Sequence, residues 1–210
     1  MPNPPRIAFP GALYHVIARG NDRREIFLDD ADMRRYLWLL RAGCVDSFLV
    51  IYAYALMPNH VHLLVLTRRA NISSAICGIH LAYSKYFNRR HGHSGHVFGA
   101  RFKSRLVERD RYFLALLRYI HLNPVRAGLA AAPGEYAWSS YRAYLAECDG
   151  LVRWPREVFR LFSDDPAAGR ARYLEFMGQP IPEPELRLLD NSRNGVLGGP
   201  SFRATVTGKR

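Results

Sequence analysis

Two histidines, His60 and His62, lie one residue apart inside an apolar run. Side chains alternate between two faces along a β-strand, so both imidazoles would point the same way, about 6.5 Å apart. Val61 and Leu63 would then point to the opposite face, into a core. Two imidazoles on one strand face can bind a divalent metal. The pair alone is also compatible with two half-exposed histidines on a sheet surface.

A tyrosine and an asparagine, Tyr119 and Asn123, lie four residues apart near the end of a predicted helix. This spacing puts them on one helix face, about 5–6 Å between Cβ atoms. The amide oxygen is a hard ligand suited to Mg²⁺ or Mn²⁺ and could complete a site begun by two imidazoles. The phenol is a candidate nucleophile, although a pKa of about 10 means that it needs a base or a nearby cation. By pattern alone, a core tyrosine beside a helix-terminal asparagine is the favoured alternative.

The charge of the chain favours a polyanionic partner. Its 210 residues carry a formal net charge of +12, and the pI is about 10.1. No acidic residue occurs between Asp46 and Glu108, whereas arginines and lysines recur there. A solvated surface usually mixes both signs, so this one-signed segment indicates a surface for phosphates, most simply those of nucleic acid.

Composition also limits the class of protein. The hydrophobic content of 49% is sufficient for one full domain with an extension. Cys44, Cys77 and Cys148 are far apart, which indicates a reducing compartment and neither a disulfide framework nor a thiolate zinc site. No signal pattern opens the chain, and the longest apolar run is too short to span a bilayer. We therefore expect a cytoplasmic protein.

Hydrophobic periodicity predicts the order strand, helix, strand, strand, helix, strand, helix. After a Pro-rich arm (1–10), the predicted elements are strands at 12–18, 48–56, 60–66 and 98–107 and helices from 29–30 to 44, from 71–73 to about 89 and from 110 to 123. The last of these is expected to end at Asn123 because Pro124 disfavours helical geometry in the preceding residue. Shorter helices are expected at 138–145, 157–162 and 169–177.

This order predicts an α+β fold, a ferredoxin-like or RRM-like antiparallel sheet with helices packed on it. The helices after residue 145 add a helical C-terminal extension. We divide the chain into a catalytic domain (1–145), a helical extension (146–178) and a flexible basic tail (179–210), because Pro and Gly become dense from Gln179 onward.

Four motifs together resemble the single-tyrosine HUH transposases, and most closely their REP-associated tyrosine transposase branch. They are Pro58-Asn59-His60-Val61-His62, the turn from Arg19 to Phe27, Tyr86-Phe87-Asn88 with Gly95 and the stretch 101–104, and the run from Tyr119 to Gly128. The resemblance covers about residues 10–144 and implies the same ferredoxin-like fold. Many insertion-sequence relatives have glutamine where this chain has Asn123, a departure that fits the REP-associated branch.

The resemblance implies that His60, His62 and Asn123 are metal ligands for Mg²⁺ or Mn²⁺ and that Tyr119 is the nucleophile. It implies cleavage and strand transfer of single-stranded, hairpin-flanked DNA through a 5′-phosphotyrosine, by a monomer or homodimer. We expect phosphate contacts from a basic set that we call the DNA-contact set: Arg19, Asn21, Arg23, Arg24, Arg89, Arg90, Arg101, Lys103 and Arg105.

Three other interpretations are weighed against this one. A metal nuclease that uses water is disfavoured because no carboxylate lies near His60 and His62. A nucleic-acid-binding module that has lost its chemistry is disfavoured because all three candidate ligands and the tyrosine are present. A second metal site at His91, His93 and His96 is less favoured than a flexible basic loop, and His121 is assigned no role.

Overall fold

The computed structural model describes residues 6–145, 150–152, 155–190 and 195–208. Half of the predicted N-terminal arm, Cys148 and the last two residues of the predicted tail lie outside these ranges. The described elements form an α+β fold, which confirms the predicted class.

Five strands form a single mixed sheet in the order β2-β3-β1-β4-β5. The first four are antiparallel, and β5 pairs in parallel with β4. The strands are β1 (Leu13–Arg19), β2 (Leu49–Met57), β3 (His60–Thr67), β4 (Lys103–Val107) and β5 (Gly195–Leu197). The first three lie within one residue of their predicted bounds. The fourth is shorter than predicted because Phe98 and Gly99 pair instead with the turn after β1.

Two long helices cover one face of the sheet. They are α1 (Asp30–Ser47) and α2 (Ile72–His91). A Cβ atom on Gly43 would lie 2.6 Å from Ile79 Cγ1, so the glycine permits the close approach of the two helices. Arg6 donates to Ser104 on β4 and to Ser73 on α2, which ties α2 to the face on which Ser104 lies. That face carries Val16, opposite Ser104, and not the two histidines.

A third long helix, α3 (Arg109–Arg126), covers the other face and contacts β2 and β3. Its Phe113 ring lies 4.9 Å edge-on to Tyr52 of β2. The prediction that this helix ends at Asn123 is wrong, since Pro124 lies inside the helix. Proline in the last turn removes only one backbone donor, and the main-chain oxygen of Asn123 still accepts from Ala127. Gly128, at φ +70°, follows the helix end.

A chain of buried hydrogen bonds anchors α3. It includes His121, to which the sequence analysis assigned no role. Tyr173 donates to His121 Nδ1 at 3.2 Å, His121 Nε2 donates to Ser140 at 2.7 Å, and Ser140 donates to the main chain of Tyr54. His121 and Ser140 are fully buried. The chain links α3 to β2 and to the extension.

The C-terminal residues form more regular structure than expected. The elements after α3 are α4 (Tyr141–Tyr144), α5 (Pro155–Phe159), α6 (Pro166–Gly178), α7 (Glu183–Asp190) and α8 (Pro200–Thr207). The expectation of an irregular tail from Gln179 onward is therefore wrong for α7, β5 and α8. Leu189 and Leu197 are fully buried, and β5 pairs with β4. The local content of Pro and Gly does not reveal these interactions. The division into three domains stays a prediction.

Among the described residues, no helix combines the length and apolar character needed to cross a membrane.

Two buried histidines away from the paired histidines predict acid sensitivity. Burial lowers the pKa of His80 and of His121 to about 3, whereas an unfolded histidine titrates near pH 6.5. Below that pH the unfolded chain binds more protons, so stability present above pH 6.5 is lost as the pH falls. Each residue contributes up to about 1.4 kcal/mol per pH unit.

We expect the free energy of unfolding, measured by urea titration, to fall steadily between pH 6.5 and pH 5. The variant His96→Ala, which changes an exposed histidine, should show the same slope as the unmodified chain. A flat profile over this range would contradict the assignment of buried neutral histidines.

Candidate functional site

The paired histidines point to the sheet face that α3 covers. His60 lies opposite Arg19 and His62 lies opposite Ile17 in the β1–β3 register. Val61 and Leu63 are fully buried on the other face. The His60 and His62 rings are 5.0 Å apart between centroids and nearly perpendicular. The structure thus brings both imidazoles to one place, as strand alternation predicted.

In both imidazoles, Nδ1 is engaged. His60 Nδ1 lies 2.6 Å from the side-chain oxygen of Asn59, and His62 Nδ1 lies 3.0 Å from Nε2 of His15. Within the described parts of the chain, Nε2 of each ring makes no hydrogen bond. A metal-binding histidine commonly donates its other ring N–H to a neighbour, so this arrangement leaves the two Nε2 atoms as candidate metal donors.

Burial keeps both rings in the form that binds metals. It lowers the pKa of His60 to about 4, with the nearby Arg19 guanidinium as a second cause. It also lowers the pKa of His62 well below its ordinary value, aided by repulsion from His15 and His60. Both imidazoles are therefore neutral at pH 7, and only a neutral imidazole has a lone pair to offer.

Helix α3 places Tyr119 and Asn123 over the same sheet face. The Tyr119 ring packs edge-on against His62 at 5.7 Å and against His15 at 5.9 Å. Asn123 lies one helical turn further on and is 9% exposed. Its side-chain amide makes no hydrogen bond to any residue that the structure describes, so its oxygen can accept a ligand.

Two imidazole nitrogens and one amide oxygen suit a divalent ion with mixed N and O preference, with open positions left for water or substrate. The described residues contain no group of three His, Cys, Asp or Glu side chains arranged for a metal. The candidate set of His60, His62 and Asn123 contains only two side chains of those types, because its third member is an amide. The donor chemistry and the two available Nε2 atoms fit a bound metal.

Asp190 is a site residue that the sequence analysis did not identify. The Tyr119 hydroxyl donates to Asp190 Oδ1 at 2.8 Å, and Arg126 donates to the same carboxylate at 3.0 Å. The Arg126 guanidinium also lies 5.1 Å from the centre of the Tyr119 ring. Asp190 ends α7, 71 residues after Tyr119, and no local pattern signals the contact.

This environment holds the phenol protonated. Burial, followed by the hydrogen bond to Asp190, raises the pKa of Tyr119 to about 12 against the opposing effect of Arg126. An unassisted phenolate is therefore scarce at neutral pH, and a nucleophilic Tyr119 needs an acceptor for its proton. Asp190 is the hydrogen-bonded carboxylate at that position.

The basic turn after β1 lies directly beside His60. Gly20 donates its main-chain N–H to Asn59, and the main chain of Arg19 accepts from Gly99. A Cβ atom on Gly20 would lie 2.1 Å from the Arg24 carbonyl oxygen, so only glycine fits here. Asp22 and Arg23 take left-handed backbone conformations, with φ of 50° and 61°. The turn exposes Arg19, Arg23 and Arg24 and leaves Asn21 half-buried.

The rest of the DNA-contact set divides into two groups. Arg89, Arg101 and Lys103 are exposed. Arg90 instead pairs with Asp29 and Asp32, at the start of α1.

Arg105 is buried and donates to the main chain of Leu188 in α7. The phosphate contacts of Arg90 and Arg105 stay predictions, although contacts with distant acidic or main-chain groups engage their guanidinium groups.

The second histidine group does not converge in the structure. His91 pairs with Asp32, His93 contacts Asn88, and His96 is exposed.

Comparison with known proteins gives a family match over part of the chain. The model of the family described as "Transposase IS200 like" matches residues 9–123, more than half of the chain. No curated protein matches the sequence.

Two solved structures match this chain, and the first of them is similar in fold. One is a REP-associated tyrosine transposase bound to a REP hairpin, with a TM-score of 0.60 at 20% identity over 72% of this chain and 88% of that chain. The other is a crystal structure from Deinococcus radiodurans R1 assigned to the transposases, with a TM-score of 0.40 at 20% identity over 55% of this chain and 94% of that chain.

Proposed function

The chain belongs to the IS200-like transposase family, and on that premise we propose that this transposase cuts and joins single-stranded DNA through a covalent bond to Tyr119. The observation that carries the proposal is the convergence on one sheet face of two neutral imidazoles and a phenol, with the Asn123 amide one helical turn from the phenol. The phenol is hydrogen-bonded to a carboxylate. These groups supply a nucleophile, a proton acceptor and a set of metal donors within one site.

The proposed substrate is single-stranded DNA with a hairpin beside the cleavage site. The REP-associated transposase of similar fold is bound to a REP hairpin, and the net charge of +12 suits a nucleic acid. The exposed arginines of the turn after β1 lie beside His60. Phosphate contacts from them would position the strand next to the candidate metal donors.

We propose that His60 Nε2, His62 Nε2 and the Asn123 side-chain oxygen hold Mg²⁺ or Mn²⁺. When bound, the metal would polarise the scissile phosphate and neutralise its developing charge. The edge-on contact between Tyr119 and His62 supports this assignment, because it brings the phenol ring to one of the proposed donors. The tyrosine side chain has few rotatable bonds and its ring packs on two imidazoles, so the position of the phenol is restricted.

In the proposed step, the Tyr119 oxygen attacks the phosphorus atom and transfers its proton to Asp190. The new bond joins phosphorus to Tyr119, the bond from phosphorus to the 3′ oxygen breaks, and that oxygen takes a proton from water. Strand transfer reverses these events, since an incoming 3′-OH attacks the phosphotyrosine and the protonated Asp190 returns its proton to the leaving phenolate. Arg126 keeps Asp190 oriented toward the phenol.

Substitution of the nucleophile should abolish covalent capture of DNA. We expect end-labelled hairpin DNA with Mg²⁺ or Mn²⁺ to yield a labelled band at protein mobility on a denaturing gel. Tyr119→Phe and His60→Ala should give none, because the first lacks the attacking oxygen and the second lacks a metal donor. Tyr112→Phe, a change to another tyrosine of the same helix, should leave the band intact. Cleavage that persists in Tyr119→Phe would identify water as the nucleophile.

Loss of the proton acceptor should slow cleavage without loss of DNA affinity. Asp190→Asn keeps an oxygen that can accept the phenol hydrogen bond but cannot take up the proton. We expect single-turnover cleavage to slow by about 10²-fold or more, with hairpin binding unchanged in a filter assay. A faster rate would instead show that Asp190 only holds the phenol protonated, since removal of a neighbouring negative charge favours the phenolate.

The turn after β1 should account for part of the salt dependence of binding. Arg23→Ala combined with Arg24→Ala removes two exposed cations and should reduce the slope of log affinity against log salt by about 0.7 for each lost phosphate contact. Arg34→Ala, which removes an exposed arginine next to Asp30 on α1, is the matched control and should leave the slope unchanged. Equal slopes for all proteins would exclude the turn from the DNA surface.

A further inference from the structure

A third histidine, His15, contacts the candidate metal donor His62 and has no part in the chemistry proposed above. We infer that His15 is the positioning residue that decides which ring nitrogen of His62 faces the metal. The inference rests on the proposed function, because it concerns the same site. It adds a residue that neither the pattern of the sequence nor the proposed step identified.

The contact between the two rings is close and fully enclosed. His15 is 0% exposed and His62 is 4% exposed. His15 Nε2 lies 3.0 Å from His62 Nδ1, and the rings stack with centroids 5.2 Å apart and planes 19° apart. Both residues lie on the same sheet face. Ile17 lies opposite His62, and His15 is two positions before Ile17 on the same strand. Water is not needed to explain the contact.

A hydrogen bond between two neutral imidazoles can run in either direction, and the direction fixes both tautomers. If His62 Nδ1–H donates to His15, then His62 Nε2 keeps its lone pair and can bind a metal. If His15 Nε2–H donates to His62, then His62 carries its proton on Nε2, and that nitrogen is blocked. Only the first arrangement is competent for metal binding.

The other ring nitrogen of His15 shows why the competent arrangement is not secured in advance. His15 Nδ1 is buried and has no hydrogen-bond partner among the described residues. In the competent arrangement this atom carries a proton that donates to nothing, and in the blocked arrangement its lone pair accepts nothing, so a buried unsatisfied group is present either way. The surroundings of His15 therefore do not fix the direction of the hydrogen bond in the metal-free protein. From the blocked arrangement, metal binding moves one proton within each ring, from Nε2 to Nδ1, without a net release of protons.

His60 provides the internal comparison. Its Nδ1 faces the side-chain oxygen of Asn59, whose amide nitrogen donates to the main chain of Arg23. That oxygen can only accept, so His60 Nε2 is always available. The two candidate ligands therefore differ, because the partner of His60 presets its tautomer and the partner of His62 leaves it to be selected by the metal.

The test is Mn²⁺ affinity of the full chain without DNA, measured from the signal of free Mn²⁺ by electron paramagnetic resonance. His15→Phe removes the acceptor, and we expect affinity to fall about 10- to 100-fold. His15→Gln places an amide oxygen near the position of Nε2, and we expect affinity equal to or higher than that of the unmodified chain. His80→Gln, a change to a buried histidine outside the site, should not alter affinity. Near-ultraviolet circular dichroism checks that each variant is folded.

The outcomes distinguish the role of His15 from the proposed function. Mn²⁺ binding that is lost in His62→Ala but unchanged in His15→Phe would overturn the role of His15 and leave the proposed function in place. Absence of Mn²⁺ binding in the unmodified chain would overturn both.

Where His15→Phe does not fold, nitrogen-15 spectra of the histidines in the unmodified chain decide the question. With Mg²⁺ bound, His15 and His62 should both carry their protons on Nδ1. A proton that stays on Nε2 of His15 would contradict the inference.

Discussion

The packing of α3 on the sheet face that carries His60 and His62 is the contact on which the rest of the site depends. Strand alternation brings the two imidazoles to one face, but a catalytic arrangement needs a second element across from them. The buried chain from Tyr173 through His121 to Ser140 holds that helix against β2. Tyr119 and Asn123 lie on the same helix, so the anchor of the fold also sets the distance between the proposed nucleophile and the proposed metal donors.

The features that local sequence could predict are those governed by short-range periodicity. The shared face of His60 and His62 follows from the two-residue repeat of a strand, and that of Tyr119 and Asn123 from the four-residue spacing of a helix. Both arrangements appear in the structure. The three strands near these residues also lie close to their predicted bounds, because alternating or continuous apolar runs mark them clearly.

The features that could not be predicted depend on partners distant in sequence. Asp190 reaches Tyr119 from 71 residues away, and His15 reaches His62 from 47 residues away. The sequence around Arg90 and Arg105 does not distinguish them from the other arginines. In the structure Arg90 pairs with Asp32 at the start of α1, and Arg105 donates to the main-chain oxygen of Leu188. Pro124 was expected to end α3, but its cost is small in a last turn. In every case except that of Pro124, tertiary contacts outweigh the local pattern.

Both edges of the antiparallel part of the sheet, from β2 to β4, carry additional backbone pairing, which bears on how copies of the chain can assemble. On one side, β5 pairs along β4. On the other side, β2 is bridged by Ser139 and Val152, and Leu56 donates its main-chain N–H to Trp138. An unpaired edge strand invites a strand from another molecule, and proteins commonly cover such edges. A strand from another molecule could therefore pair with β4 only after displacement of β5, and along β2 only after displacement of the segments at Ser139 and Val152.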